Sequence, residues 1–225
     1  MDLVRPLRLR SYSISSSPLV SPREAELMVS LLEEPARSGA ERFTGVASAF
    51  LQEVAPGDVL YAKVIECQES FRLPGGDTPA ILISAGTGLA PFRAAIAART
   101  VIPGGPLLCY FGCRHPDVDF LHRDELAAAH ADGVISLRPA FSRAPEGGVR
   151  YVQHAIERDG DEIWHLLQDG AHVRVCGDGR LMAPDVRAAF RRLHRKHTGG
   201  SEEDAEAWLR ELMASGRYVE DVWAG

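Results

Sequence analysis

The spacing of apolar and polar residues changes about one third of the way along the chain. Before residue 74 the apolar runs are short and strand-like, as in Glu26–Leu32 and Val59–Val64, and turn-forming residues separate them. This pattern predicts antiparallel β structure with one helix that begins near Ala47. The stretch Leu73–Pro79 then interrupts the pattern with two prolines and two glycines, and it predicts a domain boundary.

Beyond this boundary, strand-like and helix-like segments alternate, which predicts a parallel sheet with helices on both faces. The predicted strands are Ala80–Ser84, Leu107–Phe111, Val134–Pro139 and His172–Cys176. The predicted helices are Ala90–Thr100, Leu121–Ala131, Arg150–Gln168, Met182–His197 and Ser201–Ser215. We therefore expect an antiparallel β domain over residues 1–74 and a doubly wound α/β domain over residues 75–225.

Composition and charge exclude several classes of protein. The chain has 225 residues, of which 45% are hydrophobic and 25% charged, so it is long and apolar enough to bury a core. Its net charge of −6 argues against a nucleic-acid partner. Because the sequence contains neither a long apolar run nor a signal-like N-terminus, we expect no membrane segment and a cytoplasmic location. The four cysteines have the spacing of neither a zinc site nor a disulfide framework, so we expect no metal.

The first candidate for chemistry is Gly86-Thr87-Gly88, which follows a buried-looking strand and opens a helix. Such a turn lets the backbone approach a pyrophosphate, while the helix N-terminus supplies N–H donors. Pro91 fits the first turn of that helix, where its missing N–H costs nothing. A tight turn without a ligand is the alternative, and the motif alone does not decide between the two.

Further motifs occur in a fixed order along the chain: Arg10–Ser13, Gly45–Ser48, Gly86–Arg93, Phe111–Arg114, Ala140–Arg143, Tyr151–Gln153, Val175–Asp178 and Tyr218–Gly225. In that order they resemble the FAD/NADPH half of the diflavin reductases. Within that family the resemblance is to NADPH:cytochrome P-450 reductases, above all to bacterial fusions in which a haem monooxygenase and its reductase share one chain. It implies an NADP-binding α/β domain that follows an FAD-binding β-barrel.

The resemblance also implies which residues contact NADPH. Gly86, Thr87 and Gly88 would line the nucleotide, and Arg114 would help to hold its phosphates. The 2′-phosphate would be bound by Ser142, Arg143, Tyr151 and Gln153. Members of the family often carry Lys two residues before this Tyr, where the present chain has Val149. Whether the neighbouring Arg150 substitutes for that Lys stays open, and a surface arginine without a ligand is the alternative for Arg143.

On the flavin side, the resemblance assigns Arg10 to the FAD pyrophosphate, Tyr12 to the isoalloxazine and Ser13 to the neighbourhood of flavin N5. The residues implied to bind the FAD phosphates are Gly45, Val46 and Ser48. Trp223 would stack on the flavin ring and move aside for the nicotinamide. The catalytic group implied for the hydride step consists of Ser13, Cys176, Asp221 and Trp223.

The implied activity is that of an NADPH-dependent flavoprotein reductase. A hydride would pass from NADPH to FAD, and electrons would then pass through an FMN-binding flavodoxin-like domain to a cytochrome P-450 haem domain. Neither of these partner domains is part of the sequence. The alternatives are an NADP(H)-binding fragment without independent turnover and a reductase for another acceptor, such as a sulfite-reducing haemoprotein.

The N-terminal part is shorter than the resemblance requires. Nine residues precede Arg10, where relatives carry the first strands of the FAD barrel. About three strands are predicted before Leu73, whereas a closed flavin barrel of this family needs about six. We therefore expect a fragment of a larger reductase, with a shortened homologue as the alternative, and a barrel that leaves an apolar face exposed.

Overall fold

The computed structural model describes residues 9–35, 39, 42–67 and 69–223. Residues 1–8 of the predicted first domain lie outside this range. So do residues 224–225, which end the terminal motif.

The N-terminal part contains little regular structure. Strands β1 (Glu33–Pro35) and β2 (Arg42–Thr44) form a small antiparallel sheet, and helix α1 spans Val46–Glu53. A single antiparallel bridge joins Ile14 to Leu27. The helix predicted near Ala47 is confirmed.

Two predicted strands of this part do not form as expected. Of the run Glu26–Leu32, only Leu27 takes part in a bridge, and Val59–Val64 belongs to no ladder among the described residues. Val59, Tyr61 and Val64 are exposed. A β-prone run becomes a strand only when a neighbour accepts and donates its backbone hydrogen bonds. The run Glu26–Leu32 has only isolated bonds of this kind, to Ser15 and Gly45, and Val59–Val64 has none among the described residues.

A five-stranded parallel sheet forms the centre of the remaining chain. Its strands are β3 (Ala80–Ala85), β4 (Leu107–Cys113), β5 (Ser136–Phe141), β6 (His172–Asp178) and β7 (Tyr218–Trp223). They lie in the order β5-β4-β3-β6-β7, and every neighbouring pair is parallel. The four strands predicted for this region all form, although β5 lies two residues later than predicted. Strand β7 was not predicted.

Helices cover both faces of the sheet, as predicted for a doubly wound domain. They are α2 (Ala90–Val101), α3 (Arg123–Ala131), α4 (Val152–Arg158), α5 (Gly160–Gln168), α6 (Met182–Thr198) and α7 (Glu202–Ala214). A capping box begins α7, since the Ser201 hydroxyl accepts from the Asp204 N–H at 3.1 Å and the Asp204 carboxylate accepts from the Ser201 N–H at 2.8 Å. The single helix predicted over Arg150–Gln168 is two helices, separated at Asp159.

Alternate residues of the central strand pack on opposite faces. Ile81 and Ile83 join the apolar cluster under α4, α5, α6 and α7, whereas Leu82 joins the cluster under α2 and α3. Strand β3 is therefore buried on both sides, which explains its continuous apolar sequence.

Candidate functional site

The carboxyl edge of the sheet has a crevice where the direction of winding reverses. The chain leaves β3 for β4 and β5 on one side, and β6 and β7 lie on the other side of β3. Ligands of doubly wound sheets bind at such a switch point, beyond the carboxyl ends of the strands. Here these ends carry the Gly86–Leu89 turn after β3 and Cys176–Asp178 at the end of β6.

Two glycines shape this turn. Gly86 has a φ of +54°, a left-handed conformation that side chains disfavour. A Cβ atom on Gly88 would lie 2.2 Å from the carbonyl oxygen of Cys176, so no larger residue fits there. The turn therefore rests directly on the end of β6, and Gly86 and Thr87 are partly exposed at the crevice, whereas Gly88 and Leu89 are buried.

A group of cationic and polar side chains, which we name the cationic corner, follows the end of β5. It consists of Ser142, Arg143, Arg150 and Tyr151. The backbone N–H groups of Ser142 and Arg143 donate to the carbonyls of Cys113 and Arg114, each at 2.9 Å, so the β4–β5 ladder continues beyond the strands.

Arg150 is fixed within the cationic corner by two contacts. Its Nε donates to the Ser142 carbonyl at 3.0 Å, and its guanidinium carbon lies 5.4 Å from the centre of the Tyr151 ring. Arg143 is exposed, and Val149 is buried. Over the ranges that the structure covers, no carboxylate forms an ion pair with Arg143 or Arg150. The corner thus presents two positive charges to solvent.

Two other predicted nucleotide contacts have partners inside the protein. The Arg114 Nε lies 2.9 Å from Asp119 Oδ2, and the same carboxylate accepts the backbone N–H groups of Arg114 and His115. Burial raises the pKa of the Asp119 carboxyl, but these hydrogen bonds outweigh it and the net shift is downward. Gln153 is buried and donates from Nε2 to Asp185 Oδ2 of α6 at 3.0 Å. Its amide therefore belongs to the α4–α6 contact.

The predicted catalytic residues of the C-terminal half meet at the end of β6 and β7. Cys176 lies opposite Asp221 in the ladder, and Asp178 lies opposite Trp223. The Gly179 N–H donates to the Trp223 carbonyl at 2.9 Å, which fixes the backbone of Trp223, while its side chain is 47% exposed. Burial, and then the nearby Asp221 charge, raise the pKa of the Cys176 thiol to about 12. This thiol is therefore neutral near pH 7.

The predicted flavin contacts lie in the N-terminal part. Arg10 is exposed, and Tyr12 and Ser13 are half-buried. No hydrogen bond within the described ranges joins Ser13 to Cys176, Asp221 or Trp223. The predicted catalytic group is thus assembled at β6 and β7, and Ser13 is not bonded to it.

The second flavin motif forms the start of α1. Ser48 uses its hydroxyl internally, because Oγ donates to the Gly45 carbonyl and accepts from the Leu32 N–H, each at 3.1 Å. Val46 is exposed in the first turn of α1. Gly45 lies so close to Leu32 that an added Cβ would be 2.9 Å from the Leu32 Cβ.

Arg93 belongs to the Gly86–Arg93 motif, but the sequence predicts no role for it. Its side chain contacts Glu26, Glu125 and Ser15, which come from three separate segments. A charged residue among the apolar residues of the first turn of α2 was the signal that could have found it.

A cavity of about 670 Å³ lies at the opposite, amino edge of the sheet, between the loops that precede β4 and β5. Gly104, Gly105 and Pro106 line one side, and Asp132 and Gly133 line the other. It is remote from the carboxyl edge, where doubly wound sheets bind their ligands.

Two negative findings concern the described ranges alone. They contain no cluster of three or more His, Cys, Asp or Glu side chains suited to a metal ion. None of their helices combines the length and the apolar character that crossing a membrane requires.

Comparison with known proteins agrees with this architecture. Residues 82–188 match the family model of the oxidoreductase NAD-binding domain. The whole chain is 42% identical, over 231 residues, to bifunctional cytochrome P-450/NADPH–P-450 reductase 1 of Bacillus subtilis and covers 22% of that protein. The corresponding bifunctional protein of Bacillus cereus is 41% identical, with the same coverage. NADPH–cytochrome P-450 reductase of Cavia porcellus is 38% identical over 99% of the chain, which covers 34% of that protein.

The chain thus spans between about a fifth and a third of the length of these relatives. The region that the family model matches contains β4, β5 and β6 and most of β3, whereas β7 lies beyond it. The chain therefore carries an oxidoreductase NAD-binding domain, and over its whole length it is related to the reductase part of cytochrome P-450/NADPH–P-450 reductases.

Proposed function

We propose that the chain is the NADPH-binding module of a flavoprotein reductase, in which a hydride passes from NADPH to FAD. The observation that carries this proposal is the cationic corner at the same edge of the sheet as the Gly86–Gly88 turn, with two arginines that no described carboxylate neutralises. A 2′-phosphate is a dianion, and charge-assisted hydrogen bonds from arginine are the strongest donors for it.

The residues present fit the nucleotide. The missing Cβ of Gly88 lets the turn pack against the end of β6, and we propose that the partly exposed backbone of Gly86 and Thr87 approaches the pyrophosphate. Arg143 and Arg150 supply the charge, and Tyr151 supplies a flat surface over which Arg150 already lies. We propose that Arg150 takes the place of the lysine for which this chain has the buried Val149.

For the hydride step we propose that the residues at β6 and β7 orient the nicotinamide. The cofactors supply the redox chemistry, and the protein supplies position and charge. Because the Cys176 thiol is neutral near pH 7, it can donate a hydrogen bond, while the Asp221 carboxylate can accept one. The half-exposed Trp223 can cover the crevice or leave it without disturbing the core.

FAD fits the N-terminal part less completely. Arg10, Tyr12 and Ser13 are accessible at least in part, and Val46 lies in the exposed first turn of α1. The Ser48 hydroxyl, however, already has two partners in the protein. We propose that Arg10, Tyr12 and the first turn of α1 hold FAD and that Ser48 shapes this turn.

The relatives' names support a proposal for the electron acceptor. Because they combine a cytochrome P-450 with its NADPH reductase, we propose that electrons pass from FAD to an FMN-binding domain and on to a cytochrome P-450 haem. A cytoplasmic location stays a prediction from the sequence.

An absorption spectrum of the purified chain with added FAD, followed by anaerobic NADPH, tests the proposal. A protein-bound flavin spectrum that bleaches on NADPH is the expected result. A flavin that stays free and oxidised, with NADPH still bound, would support the second candidate, a nucleotide-binding fragment without turnover. The internal use of the Ser48 hydroxyl and the exposed apolar residues before residue 66 favour that candidate.

The cationic corner gives a separate prediction. Arg143→Ala should weaken NADPH by roughly 1.5–3 kcal/mol, because one charge-assisted contact is lost, and should leave NADH almost unaffected. Arg150→Ala should weaken NADPH about tenfold, or about 1.4 kcal/mol. Titration calorimetry with both nucleotides measures these losses, and Arg210→Ala on α7 is the control for a surface charge. Equal losses for NADPH and NADH would remove either arginine from the 2′-phosphate site.

A further inference from the structure

Arg93 links three parts of the chain through one guanidinium group. It lies in the first turn of α2, and its side chain is only 15% exposed. Nε lies 3.0 and 2.9 Å from the two carboxylate oxygens of Glu125 on α3. One terminal nitrogen donates to the Ser15 carbonyl at 3.2 Å and also pairs with the Glu26 carboxylate.

The segment that Arg93 holds is a small antiparallel turn. The Ser15 N–H donates to the Glu26 carbonyl at 2.8 Å, and the Glu26 N–H donates to Ser16 Oγ at 2.9 Å. Ile14 and Leu27 form the adjacent bridge. Arg93 therefore contacts both sides of this turn, through a backbone carbonyl on one side and a carboxylate on the other.

This linkage lies between the two halves of the proposed site. Ser13, assigned to the flavin, precedes Ser15 by two residues. The Gly86–Leu89 turn, assigned to the nucleotide, leads directly into α2. Arg93 belongs to that helix, and its side chain bonds to both sides of the N-terminal turn.

We infer that Arg93 is a positioning residue for the hydride step, because it fixes the segment that carries Ser13 relative to the Gly86–Leu89 turn. The inference rests on the proposed function, since it concerns the geometry of that reaction. Hydride transfer depends on the separation of donor and acceptor, and an error of about 1 Å can cost about a hundredfold in rate. Arg93 acts through the backbone of residues 14–27, without touching either cofactor.

Arginine suits this position better than lysine. The acceptors are the two oxygens of Glu125, the carboxylate of Glu26 and the carbonyl of Ser15, which lie in different directions. A guanidinium presents five N–H donors in a rigid plane and can reach all of them, whereas an ammonium is a single point charge. Lysine should therefore restore only part of the linkage.

Hydrogen exchange on the 225-residue chain tests the linkage, with Arg93→Ala, Arg93→Lys and Glu26→Gln as variants. We expect the protection of the Ser15 and Glu26 amides to fall roughly tenfold in Arg93→Ala, and by less in the other two. Glu26→Gln is the variant that should disturb the fold least, because this side chain is half-exposed and the change keeps its shape. Arg192→Ala, which removes a guanidinium that bonds Glu157 across α4 and α6, is the matched control and should leave this protection unchanged.

Stopped-flow reduction of added FAD by saturating NADPH supplies the second readout. Arg93→Ala should lower the rate at least tenfold while NADPH affinity stays within about twofold, and Arg93→Lys should recover part of the rate. Unchanged protection of Ser15 and Glu26 would overturn the inference, as would lost protection with a normal rate. If the unaltered chain reduces no flavin, the proposed function fails, and the exchange result alone then decides whether Arg93 fixes the segment.

Discussion

At the scale of single residues, the turn at Gly88 brings two backbone segments closer than any side chain permits. The obstacle to a Cβ is the Cys176 carbonyl of β6, which is backbone and cannot rotate away. Substitution at this position must therefore move the turn, the strand or both. A change of one methyl group thus acts on the fold and on the crevice together.

Gly88→Ala should lower the free energy of unfolding by about 1–3 kcal/mol, the usual cost of overpacking. Urea unfolding followed by circular dichroism measures this loss. Gly75→Ala is the matched control, because a Cβ there meets no atom within 4 Å. Equal stability of the two variants would show that the turn relaxes freely.

The sequence predicts which residues lie at this edge of the sheet better than it predicts their partners in the protein. Gly86, Gly88, Arg143 and Tyr151 occur in ordered motifs, and the structure brings them to one edge of the sheet. The partners of Arg114 and Gln153 could not be predicted in the same way. Asp119 lies in a loop and Asp185 lies on α6, and only the folded chain brings such distant groups within hydrogen-bond distance.

At the scale of elements, Asp159 separates α4 from α5 and bonds them to the sheet. Its carboxylate accepts from Tyr110 Oη of β4 at 3.1 Å and lies 3.3 Å from Arg138 Nε of β5 and 2.7 Å from Arg158 Nε of α4. Burial raises the pKa of this carboxyl, but the hydrogen bonds from Arg158 and Tyr110 and the charges of Arg158 and Arg138 outweigh it, so the pKa is lowered.

Asp159→Asn should therefore cost roughly 1–3 kcal/mol of unfolding free energy at neutral pH, because buried donors lose a charged acceptor. A carboxyl whose pKa is lowered on folding stabilises the protein above the unfolded pKa, near 3.8, and this contribution is lost as the pH falls through the folded pKa. Urea unfolding between pH 7 and pH 3 should show the difference shrinking. Asp169→Asn, at an exposed carboxylate, is the control, and a difference that is constant with pH would contradict the assignment.

Elements with continuous apolar sequence were predicted correctly, because burial on both faces leaves a clear pattern. Strand β3 is the example, with five fully buried residues in succession. Strand β7 has a single neighbour and carries Glu220 and Asp221, so its pattern resembles a loop. The run Val59–Val64 has the opposite property, since its residues favour strands but no described segment pairs with it. In both segments, the presence or absence of a neighbouring strand determined whether a strand formed. The local sequence pattern does not contain this information.

At the scale of the whole molecule, apolar surface is distributed unevenly. Most of the exposed large apolar side chains precede residue 66: Leu9, Ile14, Leu19, Val20, Leu27, Leu31, Leu32, Phe43, Val46, Phe50, Val59, Leu60, Tyr61, Val64 and Ile65. The buried core consists almost entirely of later residues. We therefore expect the segment from Glu69 onward to fold by itself and the part before it not to do so.

Two truncated chains test whether the α/β domain begins at Glu69 or, as predicted from the sequence, after residue 74. Phe71 is buried and stacks on Phe92 with ring centres 5.9 Å apart, and the buried Arg174 guanidinium donates to the Arg72 carbonyl at 3.4 and 3.3 Å. A chain that begins at Glu69 should therefore be more stable than one that begins at Gly75, by about 3–5 kcal/mol, the usual cost of removing a buried phenylalanine. Urea unfolding of both truncated chains measures the difference, and equal stability would favour the boundary at residue 74.

The position of β3 between one partner that is close in sequence and one that is distant has a consequence for the order of folding. Ala80 lies opposite Leu107 on one side, which is close in sequence, and opposite His172 on the other, which is far away. Because closing a longer loop costs more entropy and takes more time, the β3–β4–β5 half should assemble first and β6 should join it late. Gly88 contacts the Cys176 carbonyl where β6 joins the sheet, so this contact should also form late. A partly folded chain would then lack a complete crevice, so a nucleotide would stabilise the finished molecule without assisting the early steps.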